Sequence, residues 1–386
     1  MNLTGRAQGI IIMKNLIGIY RLRLAAILTT AMFVLLGACS PEVAESPGTP
    51  EPIASLRLSN PSEFARNDEA TLLALDELGV STDLIAGLSV VEGDVRLPAE
   101  VIDIDGDGDD DALLFIADFD AAQSRQFQIL PDAGAAIDLV KRTQAEVSVK
   151  EGGEWDGKVY KGGEFVNVEG VEQPPQYTDH SEYIRYEGPG IESDKVGYRV
   201  YLDWRNGFDV FGKKTAAMVL QDVGLDGYDS YHEPADWGMD ILKVGDAVGI
   251  GGYGYWDGEK VIRVEDTGRR SVRVTENGNL YSSLGIDYPH WKAGDDTTDL
   301  SARLSMTAGS RLVRVQLQAN ADWPNLAAGL VRHPGAELIQ GDLEISGHAW
   351  TYVASWGAQA LSEDDLGLFL LFRKGARREQ TEDEHN

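Results

Sequence analysis

The sequence predicts an all-β protein: a large antiparallel β-sandwich with a smaller β unit on its N-terminal side. Three observations carry this. From Val90 onward, apolar residues come in short runs separated by Gly, Asp and Asn. Several runs alternate polar and apolar residues, as in Ser271-Val272-Arg273-Val274 and Arg311-Leu312-Val313-Arg314-Val315-Gln316-Leu317. Alternation gives a strand one wet and one buried face. Glycine is abundant, Trp and Tyr are frequent, and helix-period spacing is scarce, a combination that favours strands joined by short turns and so a sandwich.

Residues 1–38 read as a secretion signal. Lys14, Arg21 and Arg23 precede an apolar stretch from Leu24 to Leu36, which ends in Leu36-Gly37-Ala38-Cys39. Met1 to Ile12 adds nothing such a signal needs, so Met13 is a candidate start. The segment resembles the bacterial lipoprotein lipobox, in which the cysteine is lipidated and becomes the first mature residue. The alternative, a transmembrane anchor, is disfavoured because the stretch is short for a span and ends in small residues. Ser40 stands where Asp would be the usual inner-membrane retention signal, so the resemblance implies a lipid anchor at the outer membrane of a Gram-negative cell, on its periplasmic or surface face.

Residues 39–55 are rich in Pro, Glu and Ser and read as a flexible tether. Residues 56–149 form the small β unit. Within it, Asn67 to Leu78 has helical spacing but is also compatible with strand and loop. Expected strands are Ala112–Ala117, Gln126–Leu130 and Glu146–Val149, with a boundary near Val149. Lys150 to Gly163, rich in Gly and charge, reads as a linker or hairpin. Residues 150–376 form the large sandwich. Its expected strands are Tyr183–Tyr186, Gly197–Leu202, Phe208–Phe211, Ala216–Leu220, Lys260–Val264, Ser271–Thr275, Ser301–Met306, Arg311–Leu317 and Leu366–Phe372. Residues 377–386 read as a charged tail.

The net charge is −29, and loss of the four basic leader residues (Arg6, Lys14, Arg21, Arg23) takes it to −33. Phosphates would be repelled, which argues against a nucleic-acid partner. Cys39 is the only cysteine; with its thiol lipidated as the lipobox resemblance implies, no intrachain disulfide, thiolate metal site or cysteine nucleophile can form.

Asp103-Ile104-Asp105-Gly106-Asp107-Gly108-Asp109-Asp110-Asp111 is the sharpest local motif. Alternate carboxylates and turn-permitting glycines suit calcium, with Asp103, Asp105, Asp107 and Asp111 as ligands and a structural role. The loop is similar to the first half of an EF-hand loop, without its closing Glu. A second constellation runs from Ser193 to Arg205. As a strand it places Lys195, Gly197, Arg199, Tyr201 and Asp203 on one side and Val196, Tyr198, Val200 and Leu202 on the other. Cations beside aromatics suit a sugar carboxylate; a solvated face with cross-strand ion pairs is the plainer reading. The third stretch, Asp222 to Gly245, crowds Tyr228, Tyr231, His232, Glu233, Asp236 and Trp237 into a loop, where His232 is a candidate base near neutral pH. His290 and His333 are weaker candidates. No P-loop, dinucleotide fingerprint, H-E-x-x-H or G-x-S-x-G pattern occurs.

The segments at 192–206, 209–214 and 227–245, the Asp-rich loop and the closing Leu366–Phe372 run resemble a family of bacterial secreted proteins known only as domain of unknown function 4861. The resemblance implies association with the breakdown of uronate-rich polysaccharides. By analogy, the C-terminal part is similar to galactose-mutarotase-like β-supersandwiches, although fold alone does not fix function.

The expected activity is β-elimination on an acidic oligo- or polysaccharide. Arg199 and Lys195 would neutralise the carboxylate, His232 would take the proton, and Tyr228 or Tyr231 would protonate the leaving oxygen. Asp194, Tyr201, Asp203, Trp204, Asp236, Trp237 and His333 would contact the sugar. Hydrolysis by two carboxylates, drawn from Asp194, Asp203, Asp229, Glu233 and Asp236, is an alternative, as is an epimerase or mutarotase. A non-catalytic glycan binder is the rival of another class, with Trp204, Trp237, Trp256 and Trp291 as stacking platforms.

Overall fold

The computed structural model describes residues 8–12, 51–80, 82–131, 137–227, 230–320, 325–345 and 347–386. Cys39 and most of the leader and tether lie outside them. Among the described residues, the architecture is all-β with antiparallel sheets, and no helix is long and apolar enough to cross a membrane.

The main sandwich is built from a nine-stranded, a five-stranded and a three-stranded sheet. Alternation works here as the sequence implies. In the nine-stranded sheet, Leu284, Ile286, Leu300, Ala302, Leu304, Val315, Leu317, Leu368 and Leu370 point inward. They meet Ala145, Ile191, Tyr198, Val200 and Val210 of the five-stranded sheet in one buried cluster. The described stretch Gln8–Ile12, which falls within the expected leader, lies between strands Arg314–Ala319 and Asp365–Arg373.

The N-terminal unit has two small sheets and its own core around Leu56, Leu73, Val90, Leu113, Phe115, Phe127 and Ile129. Its strand Ala112–Phe119 is buried on both faces. Leu113 and Phe115 face that core, while Leu114 and Ile116 face Leu280, Tyr281 and Ala308 of the main sandwich. The Glu100 carboxylate adds polar contact by accepting from the Asn279 and Leu280 amides, each at 2.8 Å.

Several expectations change in detail. Asn67 to Leu78 is a strand, Arg66–Ala74, followed by a single helical turn, Leu75–Leu78, that ends on left-handed Gly79. The core changes before Val149, because Thr143–Glu146 already pairs with Gly190–Ser193 in the five-stranded sheet. Lys150 to Gly163 belongs to a hairpin, Ser148–Asp156 with Val159–Asn167. Tyr183–Tyr186 is not a strand: only Ile184 makes a bridge, to Val149, and Tyr186 is left-handed at φ 36°. Ala216–Leu220 is loop, held where the Glu192 carboxylate accepts from the Val219 and Leu220 amides. The charged tail is docked: Asn386 and Asp383 side chains accept from the Val248 and Val261 amides.

One contact joins the five-stranded sheet to the three-stranded one. Gly249 bridges Phe208 in parallel at φ 78°, and a Cβ there would lie 1.8 Å from the Phe208 carbonyl oxygen. Gly249→Ala is therefore expected to lower the stability of the main sandwich by about 2–4 kcal/mol, checked by urea unfolding; an unchanged midpoint would refute this account of the junction.

Candidate active site

The five-stranded sheet has two unlike faces. Ala145, Ile191, Tyr198 and Val210 are register partners on the face turned to the core. On the opposite face, Glu146, Gly190, Arg199 and Asp209 form one row, and Gln144, Glu192, Gly197, Phe211 and Asp240 form the next. Arg199 and Tyr201 do share a side, as alternation predicts, but that side is not wet. It is sealed by the loop running from Lys214 to Trp237 and by the turn Arg185–Glu187, whose Tyr186, Val219, Leu220, Val223 and Tyr231 pack on Phe211. Gly190 leaves room for this cover: a Cβ there would meet the Tyr186 hydroxyl at 2.4 Å.

Charges buried this way require partners, and each has one. Glu146 pairs with Arg185 and also accepts from the Tyr186 hydroxyl. Glu192 pairs with Lys213 at 2.5 Å. Arg199, 2% exposed, donates to two carboxylates through one nitrogen: Nη2 lies 2.7 Å from both Asp209 Oδ2 and Asp240 Oδ2. Its remaining contacts are the Tyr201 hydroxyl at 2.7 Å, the Tyr231 hydroxyl at 3.0 Å and the Tyr186 carbonyl at 3.3 Å. One cation thus faces two acids. Burial first, then the Asp209 charge, pushes the Asp240 carboxyl up to about 8.

His232 closes the network at the surface. It ends the turn Ser230–His232, its ring lies against Tyr231 with centroids 4.6 Å apart, and its Nε2 is 3.4 Å from Asp240 Oδ2. The side chain is 38% exposed, so the imidazole joins a buried carboxylate to solvent.

A small pocket of about 20 Å³ lies between the hairpin and this loop, lined in part by Lys150, Phe165, His180, Glu182 and Glu187. Tyr186 and Gly224 also line it; the first lends its carbonyl to Arg199, and the second lies against the Tyr231 ring. Four of its residues are left-handed without being glycine: His180 at φ 55°, Glu182 at 56°, Tyr186 at 36° and Glu187 at 68°. Such strain gathers where surrounding structure over-determines the backbone, commonly at functional sites. Burial would raise Glu187, but Arg205 and Arg199 hold its carboxyl below the usual range.

The other sequence-predicted residues separate from this site. Arg199 cannot also serve a substrate carboxylate, because its donors are spent inside. Tyr231 is 2% exposed and is pushed up to about 12 by burial, which removes its hydroxyl from the role of surface acid. Tyr201 is buried, donating to Asp209 at 2.8 Å. Lys195 lies near Asp68 and Asp194, 3.6 and 3.5 Å away, at the junction with the N-terminal unit, and Asp194 is held there by Arg142 and the Gly309 amide. Asp203 is fully buried against Arg205. Trp204 is exposed, with its Nε1 donating to Asp179. Trp237 is half-buried edge-on to Phe211, and Asp236 is exposed beside it. His333 is half-buried near Lys243, and burial pushes its imidazole down. Trp291 is fully buried and cannot be a platform. Tyr228 and Asp229 lie outside the described residues. Sequence reasoning missed Asp209, which faces Arg199 across the next strand, and took Asp240 only as one acidic residue of the 222–245 stretch, without a role.

In the Asp-rich loop, carboxylate oxygens of Asp103, Asp105 and Asp111 lie within 4.8 Å of one another. Asp103 Oδ2 accepts from the Gly108 amide and Asp111 Oδ2 from the Ile104 amide, both at 2.9 Å. Asp107 is not in that trio; it accepts from the Asp109 amide. Partial desolvation, then Asp111, Asp107 and Asp103, raise the Asp105 carboxyl. An all-carboxylate set of this kind fits a hard cation.

Fold and site together define an all-β sandwich whose charged sheet face is sealed beneath a histidine-bearing loop. The chain belongs to the family described as a domain of unknown function, DUF4861, whose model matches residues 58–386. It is similar to uncharacterized protein P7 of Formosa agariphila, at 22% identity over 303 residues, or 72% of this chain and 64% of that relative. The match thus spans less than two thirds of the relative's length. No solved structure matches the chain.

A carboxyl raised in the folded state binds its proton there at pH values where the unfolded chain has released it. Its contribution to stability is full below the unfolded value and is lost as pH rises to about 8. Asp240→Asn leaves Arg199 with one carboxylate, so its melting temperature is expected to gain on wild type steadily between about pH 4 and 8. Parallel melting curves across that range would refute a retained proton on Asp240.

Proposed function

We propose that the protein acts outside the cytoplasm, as a lipid-anchored protein of the outer membrane, on uronate-containing oligo- or polysaccharides, and that it cleaves them by β-elimination. The observation that carries this reading is His232, half-exposed and tied through Nε2 to buried Asp240. With Nε2 turned inward, Nδ1 is the nitrogen left for substrate.

In the reaction the base takes the C5 proton, the C5–H electrons form the C4=C5 double bond, the C4–O bond breaks, and the leaving oxygen gains a proton. His232 is the base. Ionised Asp240 accepts from Nε2–H, which leaves the Nδ1 lone pair free and stabilises the imidazolium that forms. That imidazolium is then a proton donor for the leaving oxygen, a role that buried Tyr231 cannot fill. The developing enolate-like carboxylate needs a cation. Lys214, exposed and resting on the Ala235 carbonyl at 3.2 Å, is the candidate on this loop now that Arg199 is internal.

The binding-only reading draws on a different observation: Trp204 is 40% exposed. It requires no titrating group, so turnover separates the two. The hydrolase reading is weaker, because Asp194 and Asp203 are buried in internal pairs.

His232→Ala is expected to reduce turnover of pectate, alginate or unsaturated uronate oligosaccharides by about a hundredfold or more without changing the melting temperature. The absorbance of the unsaturated product is the readout, and undiminished turnover would remove His232 as the base. The base form needs Asp240 ionised, so kcat/KM is expected to rise with pH and level off above about 8. A rate that falls over the same interval would contradict this protonation scheme.

We also propose calcium at Asp103, Asp105 and Asp111, pinning the start of strand Ala112–Phe119. Calcium is expected to raise the melting temperature, with the gain abolished by a chelator or by Asp105→Asn. Calorimetry showing no heat on calcium addition would remove the site.

A further inference from the structure

The C-terminal hairpin carries an aromatic surface on a different sheet from the charged face beneath His232. Strands Glu337–Ile345, His348–Ala358 and Asp365–Arg373 pair in sequence at one end of the nine-stranded sheet. Leu368 and Leu370 face the core. Trp350, Tyr352 and Trp356, at even spacing, face the other way, and Phe369 joins them there as the partner of Ala354.

Two glycines let these rings lie down on the sheet. A Cβ on Gly367, the partner of Trp356, would meet the indole at 3.0 Å. A Cβ on Gly341, the partner of Tyr352, would meet that phenol at 2.7–2.9 Å. Tyr352 and Phe369 are stacked, 5.3 Å apart and 21° from parallel. Trp356 is nevertheless 53% exposed, so its outward face is open. From Tyr352 to Trp356 the strand advances about 13 Å, which is room for more than one sugar ring.

In a molecule with net charge −29, cations gather at one end of this surface: Arg373, Lys374, Arg377 and Arg378 close the last strand, with Lys374 paired to Asp342 at 2.5 Å, while at the other end Trp356 is the cross-strand partner of Glu337. The Arg373 guanidinium lies 4.2 Å over the Trp350 ring and has no carboxylate partner among the described residues. Local cations can attract an anion against an unfavourable mean charge. Flat rings offer the apolar faces of pyranoses a stacking partner.

We propose that this outer hairpin face is a second carbohydrate-binding surface, which holds an anionic polysaccharide chain against the rings of Tyr352, Trp356 and Phe369 with Arg373 facing its acidic groups. It shares the substrate class of the reading above but uses none of its residues. It would keep a polymer on the protein between events at His232. Aromatic cover of strand glycines also stabilises sheets by itself, so the test separates ring-face binding from simple apolar cover.

The test is affinity electrophoresis of the full chain in native gels containing polygalacturonate or alginate, with a neutral glucan gel for comparison. Wild type is expected to be retarded in the acidic gels, and less so at high salt. Trp356→Leu keeps an apolar side chain over Gly367 but removes the ring; it is expected to bind about tenfold more weakly with unchanged melting. Trp356→Ala is expected to do the same, and Arg373→Ala to weaken binding and flatten its salt dependence. His232→Ala is expected to migrate as wild type, and because retardation needs no turnover, this result stands whether or not elimination is observed. The proposal is overturned if Trp356→Leu migrates like wild type, if no acidic polysaccharide retards wild type, or if the neutral glucan retards it equally.

Discussion

A single buried guanidinium, Arg199, shared between Asp209 and Asp240, is the constraint around which this fold is arranged. Removing one partner of a buried charge pair costs about 3–5 kcal/mol. Arg199 cannot therefore be left facing solvent-free space on any side. Its planar fork is filled by two carboxylates, two phenols and a carbonyl, a geometry that a lysine ammonium would not reproduce. Three of those partners lie outside the strand pair itself. Tyr186, Tyr231 and Asp240 arrive from the turn, the loop and the edge strand, so satisfying Arg199 also fixes where those segments sit.

The same requirement explains the unusual backbone around it. Covering a charged sheet face with a loop needs space above the sheet, which Gly190 and Gly197 provide. It also needs a chain that reverses tightly after His180, and four left-handed residues accomplish this at a cost of order 1–3 kcal/mol each. That strain is held by the pairs beneath it: Arg185 with Glu146, and Arg205 with Glu187 and Asp203. Rigidity at the rim is what the base role proposed for His232 would require, since a base must be held within hydrogen-bond reach of its proton. The Asp240 side of His232 is fixed by the sheet, and the ring is braced by Tyr231.

Much of the fold was legible from periodicity. Alternation in Ser271–Thr275, Ser301–Met306 and Arg311–Leu317 marked strands whose inward residues form the main core. It also placed Arg199 and Tyr201 on one side. What alternation cannot report is whether a polar face is covered, because that depends on a loop many residues away. For this reason the row containing Arg199 read as wet when it is sealed, and Tyr231 read as accessible when it is buried. Tyr183–Tyr186 and Ala216–Leu220 failed for a related reason. Both are apolar because they cap the charged face, and a capping loop has strand-like composition without strand pairing. His232 was visible because its neighbours were unlike a structural connection; the places of Asp209 and Asp240 beside Arg199 were not, since cross-strand register is absent from a linear reading. The flatness of the aromatic hairpin depends on Gly341 and Gly367, which lie on neighbouring strands, and so is likewise absent from a linear reading.

If the protein handles an acidic polymer, as we propose, its own acidity is a physical difficulty, and the placement of its cations bears on it. At physiological ionic strength exposed charges are screened beyond about 8 Å, so the net charge of −29 governs approach less than the charges met at contact. Most cations of the site region are consumed internally: Arg185, Arg199, Arg205 and Lys213 all pair with buried carboxylates. Among the outward ones are Lys214 on the loop and Arg373 on the hairpin. A polyanion can then be held only where an outward cation coincides with an aromatic ring, since neither a single screened charge nor a lone ring supplies much affinity by itself. The hairpin brings a cation, Arg373, close to the stacked rings of Tyr352 and Phe369, whereas Lys150, 5.3 Å from the Phe165 ring, is mostly buried and paired with Glu182 at 3.1 Å.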